Sequence, residues 1–153
     1  MAASASALPS RFNVKASALV PRTRANALRA GFGGPVPLPS TIARGFIFTR
    51  SFVQDRSKYF PRTAYAWFGR GGRKLRWTVA PSGYGPDTTC TRSGPRYPVG
   101  EFIDGRSVYL ADGVQGQAAW ICVTEPKRIT IELWSDHSVS RKALVRMVAS
   151  AHE

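Results

Sequence analysis

From Lys74 to Val79 the chain alternates polar with apolar side chains: Lys74, Arg76 and Thr78 against Leu75, Trp77 and Val79. A period of two places one set on a core face and the other outward, as in a half-buried strand. Just before it stands Gly69-Arg70-Gly71-Gly72, where glycine supplies the positive φ that a tight hairpin turn needs. On the other side of that turn Tyr65 and Trp67 alternate with Ala64 and Ala66, and Phe68 closes the run. The sequence therefore predicts an antiparallel hairpin, and the rest of the fold has to extend it.

The flanking runs supply the extension. Phe46, Phe48 and Phe52 fall on one predicted strand face with Arg50, while Ile47, Thr49, Ser51 and Val53 take the other. Further on, Val99 to Ile103 and Arg106 to Ala111 bracket Asp104-Gly105, a dipeptide that favours a two-residue hairpin turn. The least charged run, Gln117 to Thr124, holds Trp120 and Cys122 with apolar residues on both faces, so it predicts a strand covered on both sides, at the centre of a sheet. Last come Ile129, Ile131 and Leu133, alternating with Thr130, Glu132 and Trp134. Connections are short except for Pro81–Pro98, and short connections suit antiparallel neighbours. That long stretch is rich in Gly and Pro and carries Cys90; a connection of such length in a compact domain is usually functional or stapled down.

The chain closes on a helical pattern. Ser138 or Ser140 is placed to cap it, and Leu144, Met147, Val148 and Ala151 lie on one face with Lys142 and Arg146 on the other. A helix that follows a run of strands packs on the sheet they form. The expected fold is α+β: one curved antiparallel sheet of about six to seven strands with one C-terminal helix. At 153 residues and 43% apolar composition, one core is expected.

Residues 1–36 read as a basic leader or linker, disordered, ahead of a domain over 37–153. They hold Arg11, Lys15, Arg22, Arg24 and Arg29, no acid, and many Ala, Ser and Pro. Their best apolar run, Ala16 to Val20, is shorter than the 7–15 residues of a secretory signal core. An organellar transit peptide, a linker and upstream sequence fit this composition equally. Gly31 to Pro39 marks the boundary, because its prolines cannot continue a helix.

Charge is distributed as unevenly as structure. Residues 1–80 carry fourteen Lys and Arg against Asp55 alone, whereas 81–153 carry eight of each sign. The set Arg50, Arg56, Lys58, Arg62, Arg70, Arg73, Lys74 and Arg76, interleaved with Tyr59, Tyr65 and Trp67, is the candidate anion-binding group. Stacking surfaces beside phosphate-binding charge are what a single-stranded nucleic acid requires, and an anionic membrane surface would draw on the same charge.

Catalytic chemistry finds little here. A nucleophile and base within hydrogen-bond reach are not suggested by His137 and His152, which flank the last helix, and Asp104 and Asp112 sit at turn positions. The glycines at 69–72 join two strands instead of leading into a helix, and they lack the Gly-Lys-Ser/Thr ending of a phosphate loop. Neither a cofactor nor a metal is expected, since the cysteines and histidines lack zinc-type paired spacing. Cys90 and Cys122 are read as a disulfide that would order the long connection, with two separate thiols in a reducing compartment as the other reading.

The order of features also bears a likeness. A Pro-rich entry (Pro35, Pro37, Pro39) precedes Gly45-Phe46-Ile47-Phe48, then Trp77-Thr78-Val79, then Ala119-Trp120-Ile121-Cys122, then Leu144-Val145-Arg146-Met147-Val148-Ala149-Ser150. In layout, over about residues 37–151, this resembles small exported bacterial domains of actinobacterial and anti-sigma-like proteins. Those are similar in turn to the half-barrel of lipoprotein-carrier and sigma-E regulatory proteins. The resemblance implies an extracytoplasmic, non-enzymatic binding or sensor domain with a lipid, peptide or partner protein in a concave face. The chain departs from that group in showing no membrane helix or signal peptide pattern. Phe46, Phe48, Trp67, Trp77 and Trp120 are the groove candidates. Two other functional readings stand beside it: a basic module for nucleic acid or anionic membranes, and an organelle-targeted small protein with a cleavable leader.

Overall fold

Seven strands hydrogen-bond into one antiparallel sheet, and its two halves come from separate parts of the chain. The computed structural model describes residues 12–13, 19–81, 90–91, 94–95, 99–124 and 127–153. In chain order the elements are β1 (Phe12–Asn13), α1 (Arg22–Phe32), β2 (Leu38–Pro39), β3 (Ile42–Ala43), β4 (Ile47–Gln54), β5 (Thr63–Arg70) and β6 (Arg73–Pro81). After these come β7 (Cys90–Thr91), β8 (Gly94–Pro95), β9 (Val99–Ile103), β10 (Arg106–Asp112), β11 (Gln117–Val123), β12 (Ile129–Ser135), α2 (Arg141–Ala149) and β13 (Ala151–His152). The main sheet runs β4-β5-β6-β12-β11-β10-β9, with two-stranded pairs β1–β3, β2–β13 and β7–β8 beside it. Two meanders thus meet where β6 pairs with β12, in register from Leu75↔Ser135 to Pro81↔Ile129.

The hairpin β5–β6 forms as predicted, with Leu75, Trp77 and Val79 buried. On β5 the inward residues are Ala64, Ala66 and Phe68, so Tyr65 and Trp67 point to the opposite face. Cross-strand volume explains the choice. Ala66 pairs with Trp77 and Ala64 with Val79, so the small side chains leave room for the indole, as close packing demands. The Trp77 ring fills that space and its N–H donates to the Pro37 carbonyl at 2.9 Å.

Strand β4 departs from simple alternation. Its pairing slips between Phe48 and Arg50, where Phe48 faces Phe68 and Arg50 faces Trp67. The extra residue reverses the side-chain phase beyond it. Phe48 therefore packs on the core while Phe52 faces out, correcting the expectation that the phenylalanines share a face. Phe46, just ahead of the strand, is fully buried.

The other meander follows the reading closely. Asp104 and Gly105 both adopt positive φ, at 51° and 75°, as a two-residue hairpin turn requires. Strand β11 is covered on both faces, with Ala119 and Ile121 in the main core and Trp120 in a second cluster with Tyr109. It lies beside the central strand, which is β12, and not at the centre itself. Ile129, Ile131 and Leu133 of β12 are all buried.

Helix α2 is capped by Ser140, whose hydroxyl accepts from the Ala143 N–H at 3.1 Å. It buries Leu144, Val145, Met147, Val148 and Ala149 against β10, β11 and β12. The helix ends one residue short of Ser150. Ala151, expected on its apolar face, instead pairs with Pro39 in the β2–β13 ladder. Ser150 ties the same region together, because its hydroxyl accepts from the Ser40 N–H at 3.2 Å.

The N-terminal segment divides near Leu19. Residues 1–11 and 14–18 lie outside the described residues, but from Leu19 onward the segment belongs to the fold. Arg22–Phe32 is helical and buries Ala25 and Leu28, with Gly33 closing it at φ 82° in the left-handed conformation common at helix ends. Gly31 lets the helix approach β4: a methyl group there would come within 2.9 Å of the Val53 side chain. With α1 over β4 and β5 and α2 over β10 to β12, one face of the sheet is roofed. Val36, Leu38, Ile42 and Phe46 are buried in the same core.

At the end of the sheet away from β5's first residue, the Lys74 N–H donates to the Asp136 carboxylate at 3.2 Å, joining β6 to the turn before α2. Burial works against that carboxylate. Hydrogen bonds from Ser138, Lys74 and its own backbone, with the Arg73 charge, outweigh it and hold the carboxyl below its ordinary value.

Candidate functional site

The face of the sheet turned away from the two helices carries an ordered array. Register places Arg50 beside Trp67, Trp67 beside Arg76, Arg76 beside Trp134 and Trp134 beside Ala118, across five consecutive strands. The guanidinium of Arg50 lies 5.3 Å from the centre of the Trp67 ring. Arg76 lies 5.9 Å from Trp67 and 5.4 Å from Trp134. Cations and indoles thus alternate along one row, each within reach of cation–π attraction. Arg76 also pairs with Glu132 at 3.3 Å, both half-buried. Trp134 is held from beneath, since a methyl group at Gly116 would collide with the Ser135 carbonyl and the Trp134 indole.

A second row runs beside the first, through Phe52, Tyr65, Thr78, Glu132, Trp120 and Tyr109. Phe52 and Tyr65 stack at 5.0 Å, and Phe52 stays 42% exposed. Tyr109 and Trp120 stack at 6.4 Å at the other end and are buried. Three polar atoms of this face, the Trp67 indole N–H, the Arg76 Nε and the Thr78 hydroxyl, are buried without a hydrogen-bond partner. A buried polar group left unpaired costs about 1–3 kcal/mol.

The anion-binding candidates separate into three groups along β5. Arg50 and Arg76 sit mid-strand in the row. Arg56, Lys58 and Arg62 occupy the β4–β5 connection at one end, with Lys58 5.4 Å from the Tyr59 ring and Arg62 loosely paired with Asp55 at 4.0 Å. Arg70, Arg73 and Lys74 occupy the β5–β6 hairpin at the other end. Arg70 turns toward the Phe46 ring at 5.2 Å and donates to the Arg44 carbonyl at 3.3 Å.

The five groove candidates do not meet in one groove. Phe46 and Trp77 fill the roofed core with Phe48 packed against it, while Trp67 and Trp120 stand on the opposite face. Sequence reading left Trp134, Phe52 and Tyr109 out of any site; their pairing across strands is a property of register, which turn and bulge positions set. Cys122 also stands on the outer face, packed with Tyr109 and Trp120. The Cys90 side chain lies outside the described residues. Among the described residues no group of three His, Cys, Asp or Glu side chains is arranged to hold a metal ion, and no helix is long and apolar enough to cross a membrane. No protein-family model, curated protein or solved structure matches the chain.

Proposed function

We propose that this chain is a non-enzymatic binding module whose outer sheet face takes a single-stranded nucleic acid. The observation that carries the reading is the Arg50–Trp67–Arg76–Trp134 row beside the Phe52–Tyr65 stack. Base stacking on aromatic side chains flanked by arginine is the general means of holding single strands without sequence preference. Tyr65 and Trp67, two residues apart on β5, offer neighbouring platforms about 7 Å apart along the strand. A strand laid along β5 passes from Arg56, Lys58 and Arg62 to Arg73 and Lys74, so phosphate-binding charge meets it at both ends. The surplus of fourteen basic residues over one acid in the first eighty adds long-range attraction for such a polyanion.

The proposal predicts a specific salt response. A fluorescently labelled oligothymidylate should raise its anisotropy on titration with the protein at low salt. If about four phosphates are neutralised, log affinity should fall against log salt with a slope near −3. Vesicles of phosphatidylserine in phosphatidylcholine form the second arm. Binding to vesicles with none to the oligonucleotide transfers the surface to membranes, and binding to neither removes the proposal.

The Cys90–Cys122 disulfide belongs to the same reading. A bond from Cys122, on the outer face beside Tyr109 and Trp120, to Cys90 is the pairing proposed for the chain's two cysteines. Intact mass after alkylation of unfolded, unreduced protein should show no label, and two labels after reduction. Two labels without reductant would contradict the pairing.

A further inference from the structure

A second site lies on the helix-covered side of the sheet and shares Arg62 with the outer-face group. A cavity of about 310 Å³ opens where the C-terminal turn of α1 (Phe32 to Gly34), the lower ends of β6, β11 and β12, and the β2–β13 pair come together. Its floor is apolar, built from Val123, Ile129, Ile131, Pro81 and Pro37, and its rim carries Arg62, Arg106, Lys127 and Arg128. Glu153 is the acid among the lining residues, and it is engaged by Arg29 at 3.5 Å. A cavity of this volume falls at the small end of ligand pockets, in which an apolar lining buries the body of a ligand and a few charges orient it.

From this arrangement we infer that the cavity binds a small apolar carboxylate, with its hydrocarbon on Val123, Ile129 and Ile131 and its carboxylate on the basic rim. The rim is anchored as well as charged. Arg106 Nη1 donates to the carbonyls of Ala149 at 3.2 Å and Ala151 at 2.7 Å, which fixes its guanidinium beside the cavity. Lys127 approaches from the opposite wall, its Nζ 3.5 Å from where a Gly34 side chain would begin. Four cations around an apolar floor, with the facing acid already paired, select a ligand that is apolar at one end and anionic at the other. A wholly apolar ligand would leave the charges unused, and inorganic phosphate would leave the floor unused.

Calorimetric titration of the full chain with octanoate, octanol and inorganic phosphate tests this. Octanoate should bind one to one and at least about tenfold more tightly than octanol, a difference of about 1.4 kcal/mol for the head group. The double variant Lys127→Ala/Arg128→Ala changes two exposed side chains and should weaken octanoate about tenfold while leaving octanol unchanged. Equal affinity for octanol, tighter phosphate than octanoate, or an unaltered octanoate affinity in the variant would each overturn the assignment. Oligonucleotide binding by the same variant should be unchanged. A parallel loss would show that these cations serve the outer face instead.

Discussion

Trp77→Ala should lower the free energy of unfolding by about 3–5 kcal/mol, the usual cost of removing a buried aromatic side chain. Trp77 is 1% exposed and its neighbours leave no means of closing the gap. Ala66 directly opposite and Ala64 nearby are already small, and the Leu133 pairing on the other side is fixed by the β6–β12 ladder. The lost indole N–H also strands the Pro37 carbonyl, adding the cost of an unpaired acceptor. Trp77→Phe should recover part of the packing and none of the hydrogen bond, so its loss falls between wild type and alanine. Urea unfolding followed by circular dichroism measures both. A loss below about 1 kcal/mol for the alanine variant would mean that the core at the β5–β6 hairpin is not packed as described.

Leu28→Ala carries the next largest effect, about 3–4 kcal/mol, as for other well-buried leucines. Leu28 is 2% exposed in α1, and the helix packs on β4 and β5. The measurement separates two pictures of the N-terminal segment. If residues 19–36 were only a leader, the substitution would be silent, because surface or unfolded positions change stability by no more than about 0.5 kcal/mol. A loss of several kcal/mol in urea unfolding makes α1 a structural part of the domain.

Those two positions also show where the sequence was readable. The β5–β6 and β9–β10 hairpins announce themselves through glycine turns and clean alternation, and both stand in the structure as read. The terminal helix likewise follows from the spacing of Leu144, Met147 and Val148 after a serine cap. Helix α1 was missed because its apolar positions, Ala25, Leu28 and Phe32, are few and one is small. Their spacing of three and four residues was the available signal, masked by the basic, acid-free composition around it.

The outer face was hidden for a different reason. Alternation within β4 is interrupted at Thr49, so nothing local says that Phe48 and Phe52 part company there. On β5 either phase of Ala64-Tyr65-Ala66-Trp67 could have faced the core, and the volume of Trp77 across the ladder decides it. The Arg–Trp row assembles residues 50, 67, 76 and 134 from four strands. Its basic members were visible as a charge surplus, but their alternation with indoles depends on register between strands far apart in sequence.

The outer face as a nucleic-acid surface is tested most directly by oligothymidylate affinity of Trp67→Ala at low salt. Trp67 projects away from the core, and a thermal melt within a few degrees of wild type will show the variant folded. Loss of one base-stacking platform costs about 1–3 kcal/mol, so affinity should fall about five- to 150-fold, with Trp67→Phe recovering most of it. An affinity unchanged in the folded alanine variant would contradict the account.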